Sequence, residues 1–265
     1  MLHATELFTI STTDMPVRKK TQQKAPGQGM SAKQRKRRKP IDEAYMIPIE
    51  PLTENQKVMF DEWDKGQMIY AYGVAGTGKT FVALYKALKD VLNEYSPYEK
   101  VYIVRSLVAT REIGFLPGDH EDKSSLYQIP YKNMVQSMFE MPDDNSFEML
   151  YDNLKAQETI SFWSTSFIRG TTLDNCIVII DECQNLNFHE LDSIITRVGQ
   201  DSKIIFCGDA AQTDLQKISE RSGILDFQRI LQNMDEFSLV EFGIEDIVRS
   251  GLVKSYIINK INLGL

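Results

Sequence analysis

The sequence predicts an α/β fold, a mostly parallel sheet with helices on both faces, and three observations carry that prediction. Short apolar runs of strand length alternate along the chain with longer runs of helix length. The first strand-like run, Met68 to Tyr72, passes directly into a glycine-rich turn that opens a helix-like stretch. A later apolar run, Ile177 to Ile180, ends in the two acids Asp181 and Glu182.

With 265 residues, 42% hydrophobic and 25% charged, the chain can bury one sizeable core, and a single globular domain is the default at this length. The net charge of -7 hides an asymmetry. Residues 1–40 hold ten Lys/Arg against Glu6 and Asp14, a local charge of +8 that leaves -15 on the remainder. Lys33, Arg35, Lys36, Arg37, Arg38 and Lys39 concentrate this charge in a stretch without apolar periodicity, which cannot bury enough surface to fold alone. The expected organisation is a disordered basic tail over 1–44 and one α/β domain over 45–265. No apolar run has the length of a membrane span, and no secretory leader pattern opens the chain, so the expectation is a soluble cytoplasmic protein. Cys176, Cys183 and Cys207 lie in or beside apolar runs and read as buried, reduced residues. His3, His120 and His189 have no partner at metal-ligand spacing, which argues against zinc.

Taken in order, Thr53 and Glu54 open a helix that carries Val58, Met59 and Trp63. Strands are expected at 68–72, 101–105, 160–163, 177–180, 203–207 and 237–241. Helices are expected at 80–93, 131–139, 147–154, 189–198, 223–234 and 245–262. Between 114 and 145 the residues Pro117, Gly118, Pro130 and Pro142 punctuate the chain, so a small helical insertion is expected there. Tyr70, Tyr72, Phe162 and Trp163 fall in strand runs and read as core aromatics.

The chemistry begins at Gly73, Val74, Ala75, Gly76, Thr77, Gly78, Lys79 and Thr80, which fit G-x-x-x-x-G-K-[ST] between a strand and a helix. Glycines let consecutive backbone N–H groups turn toward a phosphate, and the helix N-terminus adds to the attraction. Lys79 can reach the β- and γ-phosphates, and the Thr80 hydroxyl can coordinate Mg²⁺. An aspartate ending a buried strand is the second metal residue of such sites, a role that falls to Asp181. Glu182, one residue on, is placed to orient and deprotonate an attacking water, as a hydrolase requires and a kinase does not. The run Ile204 to Cys207 leads into Gly208-Asp-Ala-Ala-Gln-Thr-Asp214. In phosphate-loop proteins the corresponding strand lies between the loop strand and the Asp-Glu strand, so Asp209 and Gln212 are placed to sense the γ-phosphate.

With these motifs the chain resembles the PhoH-like ATPases, a family related to the core of superfamily 1 helicases. Leu52-Thr-Glu-Asn-Gln56, Ile113 to Asp119, Phe167 to Leu173, Asp181 to Asn185 and Gly208 to Asp214 look like family blocks in the family's order. The resemblance implies a RecA-like domain that hydrolyses ATP with Mg²⁺. It implies that Gln56 reads the adenine edge and that Arg249, in Glu245 to Ser250, contacts the γ-phosphate. It also implies a ring-shaped homo-oligomer acting on single-stranded RNA or another nucleic acid, and a short form without an appended nuclease or RNA-binding module, as in bacteriophage proteins. Cys183 stands where the family usually has alanine. A lone RecA-like core has only half of what such a helicase uses to step along a strand, so unwinding would need a neighbouring subunit. Arg105 and Arg169 stay open between nucleic-acid contact and action across a subunit interface. The basic tail reads either as a nucleic-acid contact or as a solubilising segment. The competing functional reading is a nucleotide-switched regulatory or assembly protein. A GTPase is disfavoured because no Asn-Lys-x-Asp motif is present.

Overall fold

The structure is a computed structural model that describes residues 41, 43–105, 120–168, 170–209 and 218–263. Residues 1–40 and 42 of the expected tail, the block 113–119, Arg169 and Gln212 lie outside the described residues, whereas Ile41 packs against the core and Glu43–Tyr45 form a 3-10 turn.

Six strands form one sheet, with β1 at Met68–Gly73, β2 at Lys100–Arg105, β3 at Ile160–Trp163, β4 at Cys176–Asp181, β5 at Lys203–Gly208 and β6 at Phe237–Phe242. Their order is β3-β2-β4-β5-β1-β6, and every neighbouring pair is parallel. Each coincides with a strand expected from the sequence to within one residue at either end. As expected, β5 separates the loop strand from the Asp-Glu strand. All the strands therefore point the same way, and the residues that follow β1, β2, β4 and β5 gather at one carboxyl edge.

Eight helices are described: α1 Glu54–Asp64, α2 Lys79–Leu92, α3 His120–Gln136, α4 Asp144–Ala156, α5 Thr165–Ile168, α6 Phe188–Ile195, α7 Ile218–Leu231 and α8 Gly251–Asn262. The strand period of two divides them between the faces. Ile69, Ala71, Ile103, Ile177, Ile179 and Ile205 pack with Met59 and Trp63 of α1, Val82 to Leu92 of α2, and Tyr131, Val135, Phe147 and Leu154 of α3 and α4. Tyr70, Val104, Val178, Ile180, Ile204 and Phe206 pack with Leu191 and Ile194 of α6 and with Phe227 and Leu231 of α7. Burying each such side chain contributes about 1.5–3 kcal/mol, so the two-sided core holds the carboxyl edge rigid. Tyr70 is buried, while Tyr72, Phe162 and Trp163 are partly buried against the same cores. All three cysteines are free and buried.

The helix bounds depart from expectation most at two places, while the helix expected at 223–234 begins five residues earlier, at Ile218. α3 starts at His120, well before the expected Tyr131, and carries Pro130 in its interior. A proline inside a helix removes one backbone hydrogen bond, but the burial of Tyr131 and Val135 on the sheet face holds the helix through it. The final run is not one helix. Ile244–Asp246 is a 3-10 turn, and α8 begins only at Gly251. Asp246, 1% exposed, breaks the run by accepting from Gly243 N at 2.8 Å and from Asn55 Nδ2 at 2.7 Å. α5 was not expected, because four residues are too short to show a period.

Candidate nucleotide-binding and hydrolytic site

The turn from β1 to α2 is shaped by close approach. Gly73 has φ 112°, and a Cβ there would meet the Phe242 carbonyl oxygen at 2.2 Å. That carbonyl accepts from Val74 N at 2.9 Å, which fastens the loop to β6. Gly78 caps α2 at φ 85° with no side-chain cap, whereas α1, α4 and α6 are capped by the side chains of Thr53, Asp143 and Asn187. The cap residue of α2 thus offers no side chain to its first N–H groups, which carry the positive end of the helix dipole and suit an anion.

Lys79 reaches back under the loop. Its Nζ donates to Val74 O at 2.7 Å, Gly73 O at 3.0 Å and Thr77 Oγ1 at 3.2 Å. Burial pushes its ammonium below the ordinary lysine value, opposed by the nearby Cys207, Asp209 and Asp181. Thr77 Oγ1 also donates to Val74 O at 3.0 Å. Across the edge, Thr80 Oγ1 donates to Asp181 Oδ1 at 2.7 Å.

The end of β4 is turned sharply. Glu182 has φ 51° and ψ 46°, a left-handed conformation that non-glycine residues seldom adopt and that recurs at functional sites. The turn carries the Glu182 carboxylate past Asp181 to Arg105, whose Nη2 donates to Glu182 Oε1. Asp209, 8% exposed, follows β5, and its N–H donates to Gln184 Oε1 at 3.0 Å. Arg249 crosses above the loop: Val248 N donates to Gly76 O at 3.1 Å, and a Cβ on Gly76 would meet Arg249 Cγ at 2.9 Å.

These groups line a cleft of about 330 Å³ that includes Ala75 to Phe81, Arg105, Tyr131, Asp181, Glu182, Asp209 and Arg249. The expected residues Ala75, Gly76, Thr77, Gly78, Lys79, Thr80, Asp181, Glu182 and Arg249 are therefore brought together. Gly73 and Val74 support the cleft from beneath. Gln56 is placed differently. It is 4% exposed, its Nε2 donates to Thr77 O at 2.9 Å, and its Oε1 accepts from Leu52 N at 2.8 Å. Its amide is engaged with the loop through one of its two N–H groups and one of its two oxygen lone pairs.

Mg²⁺ fits the site by its donor chemistry. Thr80 Oγ1 and Asp181 Oδ1 are hard oxygens 2.7 Å apart, close to the spacing of about 2.9 Å between neighbouring ligands of an octahedral ion bound at 2.0–2.1 Å. Among the described residues no cluster of three or more His, Cys, Asp or Glu side chains could hold a metal alone.

Two site residues carried no sequence signal for their placement. Tyr131 donates its hydroxyl to Asp181 Oδ2 at 2.5 Å across 50 positions of sequence. Arg105 was visible only as a strand-end arginine, and its pairing with Glu182 depends on β2 lying beside β4, with Arg105 opposite Asp181.

The family model described as PhoH-like protein matches residues 48–261. Curated relatives include the PhoH-like protein of Mycobacterium leprae, 30% identical over 210 residues that cover 79% of this chain and 57% of the relative. The PhoH-like protein of Bacillus subtilis is 31% identical, covering 77% of this chain and 61% of its own length. Protein PhoH of Escherichia coli is 30% identical, covering 77% and 56%. The chain thus spans less than two thirds of the length of these relatives. Looser likenesses among solved structures include the large terminase of the thermophilic bacteriophage D6E in complex with ADP, with TM-score 0.44 and 14% identity over 78% of this chain and 49% of that one. Another is Pif1 helicase from Bacteroides in complex with ADP-AlF3 and ssDNA, with TM-score 0.37 and 16% identity over 82% and 47%. No helix of the described residues is long and apolar enough to cross a membrane. The phosphate loop, the acids at the end of β4 and the match across residues 48–261 together place this chain in the PhoH-like family.

Proposed function

We propose that this chain is a Mg²⁺-dependent ATP hydrolase that couples hydrolysis to binding or remodelling single-stranded RNA or another nucleic acid. The observation that carries the hydrolase reading is the 2.7 Å bond between Thr80 and Asp181, made within one cleft that also holds Lys79 and Glu182. Lys79 and the loop N–H groups bind the phosphates, and Thr80 and Asp181 hold the metal. The bound ion would polarise the phosphate oxygens and neutralise developing charge. Glu182 orients the attacking water and accepts its proton. Arg249, lying over Gly76, stabilises charge on the γ-phosphate, and Gln212 senses its loss. Adenine selection is assigned to the segment around Gln56.

The nucleic-acid half of the proposal is supported by the +8 charge of residues 1–40 on an otherwise acidic chain, since Lys/Arg-rich segments gain affinity by releasing phosphate counterions. A homo-oligomeric ring in the cytoplasm completes the proposal and would supply the second half of a strand-gripping site.

The test is ATP turnover with and without single-stranded RNA and DNA, for wild type, Glu182→Gln and a deletion of residues 1–40. Stimulation that depends on the basic tail supports the coupling. If neither polymer binds at moderate salt or changes turnover, the nucleotide-switched assembly protein takes its place. Wild-type hydrolysis by Glu182→Gln would remove Glu182 as the base.

A further inference from the structure

Both carboxylate oxygens of Glu182 are engaged by neighbouring side chains. Arg105 donates to Oε1, and Asn185 Nδ2 donates to Oε2 at 3.4 Å. The side chains of Arg105 and Glu182 are 28% and 38% exposed, and ion pairs at that level of solvation are weak and easily exchanged. Arg105 is also within the cleft that contains Lys79, Thr80 and Arg249, on a strand fixed beside β4 with Arg105 opposite Asp181.

We propose that Arg105 exchanges partners: its guanidinium moves from Glu182 to the γ-phosphate of a bound nucleoside triphosphate, and this transfer frees the Glu182 carboxylate to orient water. The inference rests on the hydrolase reading above. Three features favour it. The guanidinium has five N–H donors in a planar fork, so its contact with Glu182 through Nη2 does not exhaust it. A phosphoryl group presents three acceptor oxygens and more charge than a carboxylate, and it matches the fork bidentately. In the hydrolase reading Lys79 binds the β- and γ-phosphates, and its loop follows β1, which β5 and β4 separate from β2, so the terminal phosphate would lie between the loop and Arg105 within the one cleft. A diphosphate lacks the group that draws Arg105 away. The base would then be released only when its substrate is present, which limits wasteful attack by water on other bound nucleotides.

The experiment compares wild type, Arg105→Ala and Arg105→Lys for equilibrium binding of ADP and of a non-hydrolysable ATP analogue, each with Mg²⁺, and for ATP turnover. Arg105→Ala is expected to bind ADP within about twofold of wild type, while its preference for the triphosphate falls about tenfold or more and kcat falls with it. Arg105→Lys, which keeps the charge without the fork, is expected to fall between the two. The affinity ratio is read on one sample, so it does not depend on the folded fraction. An unchanged ratio in Arg105→Ala overturns the exchange, whether turnover rises or falls. If wild type binds ATP and its turnover depends on Glu182 while that ratio stays unchanged, only the exchange is lost. If wild type neither binds nor hydrolyses ATP, the hydrolase reading and this one fall together.

Discussion

Tyr131 donates its hydroxyl to Asp181 Oδ2 at 2.5 Å, while Thr80 holds the other carboxylate oxygen at 2.7 Å. Asp181, the residue proposed to hold the metal, is therefore clamped between the phosphate-loop helix and α3. Burial, and then the Asp181 charge, push the Tyr131 phenol far above its ordinary value, so it stays a donor at any physiological pH.

Tyr131→Phe removes that donor and leaves a buried carboxylate oxygen short of a partner. Global stability is expected to fall by about 1–3 kcal/mol, with Mg²⁺ and nucleotide recovering part of the loss by binding the folded state. Denaturant unfolding with and without the ligands measures both effects, and an unchanged midpoint without them would show that the contact contributes nothing.

Thr80→Val and Asp181→Asn should raise the Mg²⁺ concentration needed for half-maximal turnover by about 10- to 100-fold. Turnover titrated against Mg²⁺ at saturating ATP reads this directly. A lowered maximum at unchanged Mg²⁺ dependence would separate the pair from the metal.

Gln56 links Leu52 to Thr77 of the loop through its amide. Gln56→Ala is expected to weaken ATP and GTP binding alike, by about tenfold, because a buried bridge that shapes the loop is lost. Competition binding with the two nucleotides decides the matter. A loss confined to ATP would mean that Gln56 reads adenine and that its loop contacts contribute nothing to phosphate binding.

Lys203 is 3% exposed, donates to Trp63 O at 2.9 Å and lies 4.6 Å from the centre of the Trp63 ring. Burial lowers its amine from 10.5 to about 8, against the pull of Asp90 and Asp64, with Lys86 adding to the lowering. Below about pH 8 both folded and unfolded chains hold this proton. From there to the ordinary lysine value only the unfolded chain does, so stability from this group rises with pH. Relative to Lys203→Met, wild type should gain up to about 3 kcal/mol between pH 7 and pH 10.5, measured by unfolding both proteins across that range. A difference independent of pH would place the amine at its ordinary value in the fold.

The loop of Gly73 to Thr80, the acids at the end of β4 and all six strands were legible in the sequence because each is a local pattern: glycines where the backbone must turn, an apolar run of strand length, polar groups at its carboxyl end. Helix ends were less legible. Pro130 reads as a break until the packing of its neighbours on the sheet is known, and the 3-10 turn at Ile244–Asp246 depends on Asn55, which is 191 positions away from Asp246.

Sequence by itself determined that this chain carries the parts of a phosphate site and an α/β scaffold to hold them, since motif and period are short-range. Only the tertiary structure decided how those parts pair. The order β3-β2-β4-β5-β1-β6 sets Arg105 beside the Asp-Glu turn and brings Thr80 to Asp181 across an intervening strand. α3 lays Tyr131 over the same aspartate, and the 3-10 turn after β6 leads Arg249 over Gly76. Side-chain contacts of this kind are set by which strands and helices become neighbours, and that is a property of the packed core.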